Sequence, residues 1–210
     1  MLIPYSKVIE ILSGHGVQVR GILHVGAHEC EELRDYVAGG ITVNNIVWVE
    51  GNQDKVALMK ARGVPNVYYG LVSDKEEVVN FYITNNGQSS SILELETHKH
   101  HHPQVHVSET RVERTTTLTK LFEANQLDTM KYNFWNFDIQ GAELLALKGA
   151  GDLLGMADAL YLEVNAEHLY KDCALIGELD VFLAGRGFRR VETSMTRCQW
   201  GDALYVRVKA

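Results

Sequence analysis

Ile22-Leu23-His24-Val25-Gly26-Ala27-His28-Glu29-Cys30-Glu31-Glu32 is the stretch on which the fold turns. A short apolar run meets a glycine and passes into an amphipathic segment. Residues 20–26 therefore read as a buried strand, and 29–39 as a helix ending at glycine. The same alternation runs outward along the chain. Strands are expected at 46–50 and 66–72, with a helix over 53–62 stopped by Gly63 and Pro65. Helices at 118–126, 141–150 and 174–185 alternate with strands at 133–139 and 158–165. Two last strands, 187–193 and 202–208, have no helix between them and so predict an antiparallel edge pair. Repeated strand–helix units predict an α/β fold, a mainly parallel sheet with helices on both faces.

Two β-rich segments, 78–83 and 109–116, flank a polar stretch over 85–108. A loop of that length inside a compact domain is usually functional or disordered. With 210 residues, 46% of them hydrophobic, the chain can bury one sizeable core. The expected organisation is one domain over 1–210 carrying the loop on its substrate side, with a module of a larger protein as the alternative. No apolar run approaches a membrane span, and a net charge of -7 gives no general attraction for nucleic acid. Cys30, Cys173 and Cys198 form no paired motif, and the first residues lack the pattern of a secretion signal. The expectation is a cytoplasmic protein with reduced thiols. Oligomeric state is not encoded in any pattern here.

In open parallel sheets, ligands bind beyond the carboxyl ends of the strands. Those ends carry His24, Gly26, Ala27 and His28, then Glu50 and Asn52, Ser73 and Asp74, Asp138 and Gln140, Glu163 and Asn165. Gly26 permits a tight backbone turn against a ligand, and Glu50 is placed to accept hydrogen bonds from a ribose diol. The rest of a dinucleotide fingerprint is missing, because His28 and Glu31 stand where its second and third glycines belong. Glu29, Glu31 and Glu32 at a helix start would also compete with a pyrophosphate. A nucleoside cofactor carrying positive charge and no phosphate fits better than NAD, which disfavours a dehydrogenase. S-adenosylmethionine is such a molecule. A plain glycine turn with incidental acidic residues is the alternative.

Several segments together resemble one family. They are Ile22 to Glu32, Val47-Trp48-Val49-Glu50-Gly51-Asn52, Leu71-Val72-Ser73-Asp74-Lys75, Asn85 to Leu95, and Thr97-His98-Lys99-His100-His101-His102-Pro103. Thr115-Thr116-Thr117-Leu118, Phe137 to Leu145, Leu162-Glu163-Val164-Asn165 and Trp200 to Tyr205 continue the series. In this order, over about residues 20–207, the chain resembles the FkbM methyltransferases. The resemblance implies a seven-stranded Rossmann-like methyltransferase fold, S-adenosylmethionine as donor, and an oxygen acceptor, often on a sugar. It implies that Gly26, Ala27 and His28 line the methionine part and Glu50 the ribose. Ser73 and Asp74 would approach adenine, Asp74 accepting from its exocyclic amine, while Asp138 and Gln140 face the methyl-donor side. Cys30, where the family commonly has glycine, and Gly51, where alanine is commoner, depart from the pattern.

A sugar hydroxyl is a poor nucleophile, so a base or a metal should assist its deprotonation. Asp138 is the first candidate base, with Glu163 and His98 as further catalytic candidates. Glu163 and Asn165, two apart on one strand, share a face, and with Asp138 would form an oxygen-rich site for Mg²⁺ or Mn²⁺. In the loop, Gln88, Ser89, Ser90, Ser91, His98, His101 and His102 are candidate acceptor-binding residues. A solvated histidine run and a polar turn are the competing readings, and Tyr170 and Trp200 read as packing residues. The expected activity is O-methylation of a sugar hydroxyl, with a deoxyhexose such as rhamnose or fucose in a glycan as acceptor. A lipid or polyketide hydroxyl, or a non-catalytic nucleoside-binding module, are the alternatives.

Overall fold

The computed structural model describes residues 1–208. In chain order it contains α1 (Tyr5–Gly14), β1 (Ile22–Val25), α2 (Leu33–Ala38), β2 (Ile46–Glu50), α3 (Gln53–Ala61), β3 (Val67–Tyr69), β4 (Val78–Thr84) and α4 (His98–His101). Then follow β5 (Val107–Arg114), α5 (Leu118–Ala124), β6 (Phe134–Phe137), α6 (Glu143–Gly149), β7 (Ala159–Asn165), α7 (Ile176–Ala184), β8 (Phe188–Met195) and β9 (Trp200–Arg207). The main sheet has seven strands in the order β3-β2-β1-β6-β7-β9-β8. β1 pairs in parallel with β2 and β6, and only β9 runs against its neighbours, β7 and β8. The expected parallel sheet with an antiparallel edge pair is what the chain forms. β4 and β5 make a separate antiparallel ribbon.

Side-chain alternation along the strands divides the core. Ile22, Ile46, Trp48, Phe134 and Tyr161 pack with Tyr5, Val8 and Leu12 of α1, Tyr36 of α2, and Val56 and Met59 of α3. The intervening Leu23, Val47, Val49, Trp135 and Leu160 pack on the opposite face with residues of α5, α6 and α7. α1 is amphipathic in the simplest way: it follows Pro4 and buries Tyr5, Val8 and Leu12 along one stripe. Among the described residues no helix is long and apolar enough to cross a membrane.

Three helix starts come later than the sequence suggested, α7 beginning at Ile176 rather than at 174. α2 begins at Leu33, because His28 (φ 42) and Cys30 (φ 58) take left-handed backbone conformations that interrupt a helix. The Cys30 backbone is thus of the kind glycine favours, as the family's usual residue there would be. α6 begins at Glu143, after Gln140 (φ 58) and Gly141 (φ 95). The 85–108 segment is ordered. It contains α4, the backbone of Glu96 and His98 donates to the Leu169 carbonyl, and Asn85 donates to that of His106.

Gly149, at the end of α6, lies against the backbone of Ser73 and Asp74, where a Cβ would collide with the Ser73 carbonyl. Gly149→Ala is therefore expected to destabilise the fold by about 1–3 kcal/mol, the usual range for overpacking, measured as a lowered urea midpoint at unchanged slope.

Candidate active site

At the tip of β1 the backbone turns at Gly26 (φ +88), and a Cβ there would strike the Asp138 carbonyl oxygen. Gly26 and Ala27 both donate N–H groups to the Val49 carbonyl, at 2.8 and 3.1 Å. That turn carries the His28 N–H to Oε2 of Glu50 at 2.7 Å, while Oε1 accepts from the N–H of Asn52 at 2.7 Å. Burial pushes the Glu50 carboxyl upward, and the two backbone donors oppose the shift. Asn52 caps α3, accepting from the Asp54 N–H, and lines no cavity.

Two cavities open at this edge. The smaller is walled by Glu50, Gly51, Leu71, Val72, Phe81, Ser90, Ser91 and Ile139. It combines an acidic group with an apolar slot, the pairing that a ribose and a flat purine require. Gly51, a departure from the family pattern, borders this slot, and a Cβ on it would come within 2.7 Å of the Leu71 side chain. The larger cavity, about 540 Å³, is bordered by His24, Ala27, Ser89, His98, His102, Gln140, Glu163 and Tyr170, among others. Gly26, His28, Gln88 and Asp138 line both.

The polar groups around these shared residues form one network. Gln140 donates its side-chain amide to Asp138 Oδ1 and Glu163 Oε2, each at 2.6 Å. Tyr170 donates its hydroxyl to Gln140 Oε1, and the Ser91 hydroxyl donates to the Gln140 carbonyl at 2.8 Å. Gln140 is thus held at three of its polar atoms, and the Tyr170 contact fixes which amide end faces the carboxylates. Asp138 is exposed towards the cavity, whereas Glu163 is buried. Burial, reinforced by the charges of Asp138 and Glu143, raises Glu163 well above the usual carboxylate range. Asp202 faces Glu163 across the β7–β9 register and accepts from Tyr161 and the Leu2 backbone. Burial raises it too.

On the opposite side of the large cavity, His98 is buried and its Nδ1 has no protein partner. Burial, with the neighbouring His102 and His101, lowers it to about 4, so the ring is neutral near pH 7. Its ring lies 4.9 Å from that of His102 and 5.5 Å from that of Tyr170, centre to centre. His24 is buried beneath the site, with Nδ1 3.0 Å from the Tyr36 hydroxyl, and burial lowers its affinity for a proton.

Not every expected residue reaches the cavities. Ser73 and Asp74 line neither: Ser73 is buried with its N–H on the Thr116 carbonyl, and its hydroxyl donates to Asp74 at 3.3 Å. The preceding Leu71 and Val72 make the wall instead. His101 turns to Glu167 in an ion pair and lines neither cavity. Asn165 is buried, lines neither, and its side-chain amide has no partner. Among the described residues no group of three His, Cys, Asp or Glu side chains converges to hold a metal. The space between Asp138 and Glu163 is spanned by an N–H₂ donor, which does not ligate a cation. The expected Asp138–Glu163–Asn165 donor set is therefore not assembled.

Tyr170, Trp200, Asp202, Asn86 and Gln104 line the large cavity but were not expected there as site residues. Asn86 and Gln104 fall inside the polar loop, which was a signal. Asp202 becomes visible only through its pairing with Glu163. Tyr170 and Trp200 do pack, with Leu95, Leu169 and Cys173, and border the cavity as well.

A seven-stranded sheet with a single reversed strand, a glycine turn at the tip of β1 and a carboxylate on the next strand end has the layout of the methyltransferases that use S-adenosylmethionine. The sequence matches the Methyltransferase FkbM domain over residues 24–190, and the chain belongs to that family. Among solved structures, magnesium protoporphyrin IX methyltransferase (ChlM) from Synechocystis PCC 6803, with S-adenosylmethionine bound, is similar with a TM-score of 0.50 at 12% identity. The match covers 96% of this chain and 77% of that one, and the likeness is one of fold. None of the curated proteins matches the sequence.

Two outcomes test the network. Glu143, buried at the start of α6, accepts from the N–H groups of Ile139 and Gly141 at 2.9 and 3.3 Å, and burial raises it to about 8. Its proton is held more tightly in the folded state than in the unfolded one. The resulting stability is complete below about pH 4 and is lost as pH rises to about 8. Glu143→Gln keeps the accepting oxygen and removes that loss. Its melting temperature should gain on the wild type progressively between about pH 5 and 8; a pH-independent difference would contradict the assignment. Tyr170→Phe should broaden the Gln140 side-chain amide signals in NMR while costing about 1 kcal/mol of stability.

Proposed function

We propose that the protein is an O-methyltransferase whose acceptor is a hydroxyl of a sugar, with a deoxyhexose such as rhamnose or fucose in a glycan as the acceptor type favoured by the family resemblance. The observation that carries the reading is that Asp138, an exposed carboxylate, borders both cavities at their junction. S-adenosylmethionine, when bound, supplies a methyl group on a sulfonium that an oxygen can displace in line. Glu50 would hold the ribose hydroxyls, with Leu71, Val72, Phe81 and Ile139 against the adenine and Gly26, Ala27 and His28 along the methionine part. His28 Nε2 is buried without a protein partner, which fits a group awaiting a ligand.

Asp138 takes the hydroxyl proton of the acceptor. Its position is maintained by Gln140, whose amide also holds the buried Glu163 behind it. Alignment of the acceptor oxygen supplies much of the remaining rate. Asn86, Gln88, Ser89 and Gln104 border the large cavity and offer donors and acceptors suited to a polyhydroxylated molecule, with His98 and His102 facing them. His98, neutral near pH 7, is a hydrogen-bonding partner for an acceptor hydroxyl and the second candidate for base.

A screen with isotopically labelled S-adenosylmethionine over glycans of defined hydroxyls tests the acceptor class; labelling of lipid alcohols but of no glycan would overturn it. Asp138→Ala is expected to reduce turnover by about 10²–10⁴-fold, the usual contribution of a general base, while calorimetry still detects cofactor binding. Full retained activity would remove Asp138 from the role.

A further inference from the structure

Among the described residues neither cavity presents a lysine or an arginine, and the Met1 ammonium at the large one is taken up by Glu32 at 3.7 Å. The large one is bordered instead by Glu31, Glu32, Asp138, Glu163 and Asp202, and the smaller adds Glu50. Cationic side chains exist close by but are committed elsewhere: Lys55 and Arg62 both pair with Glu29. Glu31 is pulled down to about 2. Burial works against this, and the His28 ring at 2.6 Å together with backbone N–H groups outweighs it. Of the other imidazoles at depth, burial keeps His24 and His98 in the neutral form, and the half-buried His102 lies beside His98. Bound S-adenosylmethionine brings a sulfonium, an ammonium and a carboxylate, a net charge of about +1, which leaves the lining acidic. The groups free to meet an acceptor are otherwise uncharged, namely Asn86, Gln88, Ser89, Gln104 and the buried His98 with its unpartnered Nδ1.

A phosphate or carboxylate placed here would lose its hydration and gain no cation in return. Anion recognition in proteins ordinarily supplies Arg, Lys or a helix N-terminus. Of the helix starts at the large cavity, that of α2 is fronted by Glu31 and Glu32, and that of α4 presents the buried, neutral His98. From this we infer that the acceptor is a sugar free of phosphate and carboxylate, neutral or amine-bearing, in an already formed glycoside, and that nucleotide-activated or phosphorylated sugars are excluded. The inference rests on the sugar reading above and deepens it. It also orders the chemistry: a glycosyl transfer, which releases the nucleotide phosphate, comes before methylation.

The test uses the full chain loaded with labelled S-adenosylmethionine and four matched acceptors. These are a deoxyhexose methyl glycoside, the corresponding nucleoside diphosphate sugar, an uncharged aliphatic alcohol, and the same alcohol bearing a phosphate. The glycoside should be methylated with a kcat/KM about a hundredfold or more above the nucleotide sugar. Glu31→Gln together with Glu32→Gln should narrow that ratio by about tenfold. Preference for the nucleotide sugar would overturn the charge rule and leave the sugar reading intact. Methylation of the uncharged alcohol over both its phosphate and the sugars would sink the sugar reading and keep the charge rule. Turnover of none of the four, or preference for the phosphorylated alcohol, would overturn both.

Discussion

The missing side chain at Gly26 is the constraint from which the rest of the site follows. With a left-handed backbone and no room for a Cβ against the Asp138 carbonyl, the ends of β1 and β6 can close to contact. The same turn places two N–H groups on the Val49 carbonyl and the next on Glu50. Three strand ends are thereby brought into one corner, one bearing Glu50 and another Asp138. A Cβ would force these strands apart, because backbone atoms, unlike the end of a flexible side chain, cannot swing aside.

Acidity is distributed by solvation. Glu29 at the surface is neutralised by Lys55 and Arg62, in exposed pairs worth little individually. Glu50, Glu143, Glu163 and Asp202 are buried with no cation in contact, and each is held by backbone N–H, amide or hydroxyl donors. Isolated carboxylates in such surroundings take up protons more readily than remain charged. Most acidic side chains of the chain stay at the surface, while at the site a group of buried carboxyls stands behind the exposed Asp138.

Much of the fold was legible in the sequence because parallel strands buried on both faces read as continuous apolar runs, as in Ile22–Val25 and Ile46–Glu50. Helix starts were less so. His28, Cys30 and Gln140 adopt positive φ although none is glycine, and only the surrounding contacts hold them there. Within the site, the residues at strand ends were predictable from topology. The loop residues were not: α4 places His98 and His102 towards the cavity and His101 towards Glu167, a division that a run of adjacent histidines does not reveal. Ser73 was likewise out of reach of sequence reasoning, because Gly149 draws its backbone against α6.

By itself the sequence determined the alternation of strands and helices, the glycine turn, the carboxylates at the strand ends and the membership of the FkbM family. Periodicity and local motif chemistry are enough for these, since each depends on neighbours along the chain. Tertiary structure decided which carboxylates are buried, which histidines of the site are buried, and how Tyr170 and Gln140 come to stand beside Asp138. Those properties depend on burial and on partners far apart in sequence, such as the β7–β9 pairing that sets Glu163 against Asp202. Desolvation acts on the space a group occupies, and that space is made only when the sheet closes.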